Sequence, residues 1–197
     1  LPSMTTSIPQ SCFQSCTSLT KIEIPESVTI IEDCAFKGCS SLLEVRIPST
    51  TKQIKSYAFD HCTSLSKICI PSSVVSIGSF AFHQCNHIVE LSLSSSLAVI
   101  DVSTFSGCSA LTQLIIPSSV KQIRKSAFCD CESLVSITIP ASVTSIGSQA
   151  FENCTNLENV TMLSAINTIG HNAFYRCSKL NIDTRKELES KYGSDVF

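Results

Sequence analysis

Cysteine carries most of the potential chemistry in this 197-residue chain, which has twelve of them. A thiolate is both a nucleophile and a metal ligand. Twelve cysteines in a secreted protein would fit a disulfide framework. A zinc site would pair ligands a few residues apart; the segment closest to that pattern is His83-Gln84-Cys85-Asn86-His87. A lone reactive thiol would need a polarising neighbour. Cys69 is the candidate, since Arg46 and Ser92 stand at equal distances before and after it and a nearby cation favours the thiolate. No histidine base is placed beside it, which makes a thiol-dependent enzyme the weakest of the functions considered. The chain has no G-x-S-x-G elbow, P-loop, H-E-x-x-H or paired-carboxylate motif. Two sequons, Asn153-Cys154-Thr155 and Asn159-Val160-Thr161, arise by accident in a chain rich in Asn, Ser and Thr.

Spacing decides among the cysteine readings. Phe13, Phe36, Phe59, Phe82, Phe105, Phe128, Phe151 and Phe174 recur at one constant interval. Three residues after each comes Cys16, Cys39, Cys62, Cys85, Cys108, Cys131, Cys154 or Cys177. Zinc ligands are not spaced this way. Adjacent coils would bring these cysteines close enough to bridge, but the motif asks only for a small apolar side chain, so the column reads as buried free thiols. Free thiols in such number favour a reducing compartment. His83 and His87 fall on variable, outward positions. Cys12, Cys34, Cys69 and Cys129 lie outside the column; Cys12 takes an alanine position and is expected to pack. Arg46, Cys69 and Ser92 are one such interval apart, on adjacent strands.

A fixed period of this length is the mark of a solenoid. The unit reads A-F-x-x-C-x-x-L-x-x-I-x-I-P-x-S-V-x-x-I. Its I-x-I segment, as at Ile22 and Ile24, predicts one short strand per coil, stacked in a parallel sheet. The proline after it, as at Pro25, lacks an N–H and ends the strand. Ser27, Thr50, Ser73, Ser96, Ser119 and Ser142 form a column expected to satisfy turn backbone groups between coils. Ala35, Phe36 and Cys39 have helical spacing, which predicts a helical turn capped by Asp33 and, in later coils, by Ser56, Ser79 and Ser148. After Leu180 the pattern changes. Thr184 and Glu187 form a capping box, Leu188 and Tyr192 share a face, and Gly193 is a stop. Residues 1–183 therefore read as about 8.5 repeats beginning in mid-repeat, a piece of something longer, and 184–197 as a capping helix and tail.

This unit resembles the BspA-like class of leucine-rich repeats over residues 1 to about 183. Repeat 82–104 departs from it, with Ser94 for proline and Thr104 for alanine, and repeat 151–173 has Leu163 for proline. The resemblance implies an α/β repeat solenoid: a right-handed leucine-rich repeat with one short parallel strand per coil and short helical turns on the convex side. It also implies a cell-surface or secreted adhesin that binds host, matrix or other surface proteins. An intracellular scaffold attached to a signalling domain and a purely structural spacer are the rival readings.

Composition narrows the partner. With a formal net charge of -2 and 15% charged residues, no basic face for nucleic acid is expected. The apolar runs are far too short to span a membrane. No metal or cofactor is expected. Solenoids bind on the broad surface of their strands, here expected to be concave. Its outward columns give the candidate contact residues: Lys21, Glu44, Lys67 and Glu90 in one, and Glu23, Arg46, Cys69, Ile115, Thr138 and Thr161 in the other. In the first half opposite charges alternate and neutralise one another; the second half is nearly uncharged, with Ile115 outward and Val135 near a strand start. The N-terminal coil carries no capping pattern, which leaves an open sheet end where two copies can pair.

Overall fold

The structure is a computed structural model that describes residue 2 and residues 4–197. It is a parallel-strand solenoid of about seven complete turns. Each coil contributes two strands, not the one expected. The first column holds Lys21–Ile22, Glu44–Val45, Lys67–Cys69, Glu90–Ser92, Gln113–Ile115, Ser136–Ile139 and Asn159–Met162. The second holds Ser7–Ile8, Ile30–Ile31, Gln53–Ile54, Ser76–Ile77, Val99–Ile100, Gln122–Ile123, Ser145–Ile146 and Thr168–Ile169. All pairings are parallel and offset by one period, such as Ile22 with Val45 and Ile31 with Ile54. The second column escaped the sequence reading because two residues are too few to display the alternation that marks a strand.

The Ala-Phe-x-x-Cys segments are not helical. Each is a run of linked turns in which N–H groups alternate in direction. Within a coil, Ala35, Lys37 and Cys39 donate back three residues to Glu32, Cys34 and Phe36. Between them, Cys34, Phe36 and Gly38 donate to Ser56, Ala58 and Asp60 of the next coil at 2.7–3.0 Å. This alternation requires left-handed backbone two residues before and two residues after each phenylalanine, for example Tyr57 at φ 58° and His61 at φ 58°. Glycine is the residue that adopts such φ freely, and it stands there at Gly38 and Gly107. Elsewhere non-glycine residues accept the strain, of order 1–3 kcal/mol each, and hydrogen bonds between coils offset it. A helix and these turns place apolar side chains at the same i, i+3 spacing, so periodicity could not separate them. The expected helix caps bond across coils instead: Asp33 Oδ1 accepts from Ser56 N–H at 2.9 Å, and Ser79 donates to Asp101 at 3.2 Å.

The turns hold two buried columns. Seven phenylalanines from Phe36 to Phe174 are fully buried, and the rings from Phe13 to Phe174 stack at 5.0–5.7 Å with interplanar angles of 3–10°. Beside them runs the cysteine column. All twelve cysteines are free thiols, and the column thiols do more than fill space. Each from Cys39 to Cys177 donates to the carbonyl of a phenylalanine 26 residues earlier, at 3.1–3.5 Å. That carbonyl also accepts an N–H from its own turn, as Phe105 O does from Cys108, so both its lone pairs are used. Cys12, expected to pack, and Cys16, expected to be buried with the rest of its column, are both exposed. The serine column is a partial ladder. Ser27 donates to Thr5 O and Thr50 to Val28 O, whereas the hydroxyls of Ser73, Ser119 and Ser142 are buried without a protein partner among the described residues.

Repeat 82–104 interrupts the order. Both strand columns split there, between Ser76–Ile77 and Val99–Ile100 and between Glu90–Ser92 and Gln113–Ile115. The ring spacing widens from 5.0–5.2 Å before Phe82 to 5.5–5.7 Å after it. In this repeat the fully buried Thr104 replaces the alanine of the neighbouring coils and adds bulk beside Phe105. Ser94, in place of proline, donates to Val74 O at 2.6 Å. The turn hydrogen bonds from Phe80, Phe82 and Gln84 to the next coil persist.

The C-terminal helix spans Ile182–Tyr192, two residues earlier than expected, and its cap is Asn181, which accepts from Asp183 N–H. Thr184 therefore lies inside the helix. Leu188 is buried, and Tyr192 Oη accepts from Ile166 N–H at 3.1 Å. The tail that follows is not a loose end. Phe197 stands one full period after Phe174 and continues the ring stack at 6.2 Å, tilted by 40°, while Phe174 N–H donates to Val196 O as earlier turns do to theirs. Arg185 lies over the Phe197 ring at 4.2 Å.

Phe128→Ala removes a ring from mid-stack and should cost about 3–5 kcal/mol in urea unfolding. Alkylation of the folded chain should modify Cys12, Cys16 and Cys69, which are exposed, and spare the seven buried thiols from Cys39 to Cys177. Burial also raises five of the column thiols: Cys108 and Cys177 to about 12, and Cys85, Cys131 and Cys154 well above the ordinary value. These groups stay protonated when folded but ionise when unfolded above about pH 8.5. The stability they contribute is therefore complete below that pH and lost as pH rises toward 12. Unfolding under reducing conditions on either side of about pH 8.5 should show it.

Candidate interaction face

Strand alternation in the first column sends Ile22, Val45, Ile68, Leu114 and Ile137 inward and their neighbours outward. All ten expected contact residues are exposed: Lys21, Glu23, Glu44, Arg46, Lys67, Cys69, Glu90, Ile115, Thr138 and Thr161. Register brings several of them side by side. Lys21 lies opposite Glu44, Glu44 opposite Lys67, and Lys67 opposite Glu90; Ile115, Thr138 and Thr161 follow one another.

The charges pair along the column. Lys21 and Glu44 form an ion pair at 2.8 Å, and Lys67 pairs with Glu90. Glu44, with Glu23 adding, holds the Lys21 ammonium above its ordinary value, and Lys21 holds the Glu44 carboxyl below its own. Both pairs are mostly exposed and so are screened by salt. Arg46, expected beside Cys69, has another partner. Its guanidinium is held by Glu26 at 2.7 Å, on the loop after the preceding strand.

Beyond Glu90 the outward residues carry no charge, and Ile115 is 84% exposed at the end of its short strand. Two shallow open depressions run along the face and meet at Lys67 and Cys69. One reaches back to Lys21, the other on to Ile115; Thr138 and Thr161 lie outside both. The sequence reading missed part of this rim. Leu43 and Val89 are exposed at the same repeat position as Val135, which it did single out. Following that position back through the earlier coils would have found them.

The histidine pair is rearranged. His87 is exposed and belongs to no cluster among the described residues. His83 instead meets Asp60 of the preceding coil at 2.8 Å, and His61 meets the same Asp60 oxygen at 2.7 Å. The signal for this contact was the repeat itself, since Asp60 and His83 are both the residue after the phenylalanine. The amide of Asn153, in the first sequon, is committed to Asp130 across coils at 2.7 Å.

Comparison with known proteins agrees with this architecture. The family described as BspA type leucine rich repeat region, with six copies, matches residues 6–134 and 99–197. A leucine-rich repeat protein of Bacteroides ovatus is 32% identical at a TM-score of 0.77, covering 91% of this chain and 52% of its own. The T. pallidum leucine rich repeat protein is 27% identical at a TM-score of 0.68, covering 96% of this chain and 80% of its own. A leucine rich cell surface protein of Faecalibacterium prausnitzii is 29% identical at a TM-score of 0.60, covering 84% of this chain and 59% of its own. This chain thus spans about half the length of the B. ovatus protein. Curated proteins gave no match. A unit repeated at a fixed interval, a solenoid built on it, and a family match over nearly the whole chain lead to one assignment: the chain belongs to the BspA-type leucine-rich repeat family.

Proposed function

We propose that this chain is a non-catalytic protein-interaction module of a cell-surface adhesin or antigen, holding a host, matrix or other surface protein on the outer face of its first strand column. The observation that carries the reading is Ile115. A fully presented isoleucine in a row of hydroxyls has no role in this fold, and burying such a side chain against a partner is worth about 1.5–3 kcal/mol. Around it, the paired charges from Lys21 to Glu90 form a polar rim that orients a partner without demanding a strongly charged one. The backbone is fixed by the turns on the other side of the coil, so outward residues are free to vary without cost to the fold. The F. prausnitzii relative, a cell surface protein, supports the location. No helix among the described residues is long and apolar enough to cross a membrane.

One observation favours a second reading, an intracellular scaffold. All twelve cysteines are free thiols, a state that a reducing compartment preserves.

Antibody staining against this chain separates the two. Staining of intact source cells supports adhesion; staining only after permeabilisation overturns it in favour of the scaffold. In the first case, Ile115→Glu should weaken binding to a captured extracellular-matrix partner at least about tenfold, the equivalent of losing roughly 1.4 kcal/mol. Gln122→Glu, on the second strand column, should not.

A further inference from the structure

We propose that Asp60, His61 and His83 form a binding site for one divalent transition-metal ion of the zinc class, bridging two consecutive coils. The observation is independent of the interaction face. Three ligands, one carboxylate and two imidazoles, converge there: the residue after the phenylalanine is Asp60 in one coil and His83 in the next, and His61 adjoins Asp60. Asp60 Oδ1 lies 2.7 Å from His61 Nδ1 and 2.8 Å from His83 Nδ1, and the three ligand atoms all fall within 4.8 Å of one another.

The site is built rather than incidental. Asp60 is 1% exposed, and a carboxylate that deep needs several partners. Its second oxygen is held by the Lys37 ammonium at 3.0 Å, which leaves Oδ1 as a single directed ligand. The rings are held in place. Phe80 stacks on Tyr57 at 4.8 Å and meets His83 edge-on at 5.5 Å, and Lys37 Nζ lies over the Tyr57 ring at 4.8 Å.

Imidazole and carboxylate together suit zinc, nickel or copper rather than magnesium or calcium. Metal–ligand distances of about 2.0–2.2 Å put neighbouring ligand atoms of a tetrahedral site about 3.4 Å apart. The two imidazole nitrogens therefore need to move about 0.6–0.7 Å away from Asp60 Oδ1. The His61 side chain, 54% exposed, has room for that. In the neutral rings Nδ1–H donates to Asp60; shifting each proton to Nε2 frees the Nδ1 lone pair for the metal with no net proton released. The fourth position faces solvent on the His61 side. The Lys37 charge beside the site weakens the affinity without occupying Oδ1.

The test uses the full chain without an oligohistidine tag, reduced, with Cys12→Ser, Cys16→Ser and Cys69→Ser to remove exposed thiols. Titration with Zn2+ alone should give one ion per chain and an upward Tm shift, since only the fold assembles the site. His61→Gln and His83→Gln should each weaken binding at least about tenfold and abolish the shift, while His87→Gln and His171→Gln leave both unchanged. Co2+ in place of zinc should show no thiolate-to-metal charge-transfer absorption. No zinc binding, binding that survives His83→Gln, or a cobalt–thiolate band would each overturn the site.

Discussion

The spacing between coils is the constraint on which everything else rests. The turns around each phenylalanine direct every second N–H into the next coil, so coils must lie at backbone hydrogen-bonding distance along their whole edge. A flat aromatic ring fills such a gap, and the phenylalanines accordingly stack nearly parallel. The cysteine thiol, small enough to share the turn interior, reaches the phenylalanine carbonyl of the preceding coil, which that carbonyl's own turn leaves half-used. Hydrogen-bonded turns, stacked rings and buried thiols are three consequences of one repeat distance.

Repeat 82–104 shows which part of this arrangement is essential. With Thr104 in the alanine position and Ser94 in place of proline, both strand columns break, yet the turn ladder and the ring stack run through. The strands are short, two to four residues, and each adds little alone. The turns hold the register, and the strands are free to carry variable residues on their outer side. This division places the candidate interaction residues on the first column and leaves the opposite turns to shape features such as the Asp60 cluster.

The same rule holds after Leu180. A helix takes the place of one coil's strands, but Val196 and Phe197 then supply the carbonyl and the ring at the positions that earlier repeats use. The N–H groups of the turn around Phe174 thereby find the partners that buried backbone needs.

The repeat, the solenoid, the inward and outward assignment of Ile22, Val45 and Ile115, the phenylalanine stack and the C-terminal helix were all legible in the sequence, because strict periodicity converts position directly into direction. So were the Lys21–Glu44 and Lys67–Glu90 pairs, since register follows from the period. The turn conformation was not, because residues at i and i+3 meet in a helix and in linked turns alike. Its left-handed residues are announced by glycine only at Gly38 and Gly107 and hidden at Tyr57 or Gln84. Two-residue strands carry no alternation to read. The partner of Arg46, the thiol-to-carbonyl bonds and the meeting of His61 and His83 on one oxygen of Asp60 depend on where side-chain atoms point across a gap between coils. Sequence sets which residues face that gap; only the tertiary structure decides which of them touch.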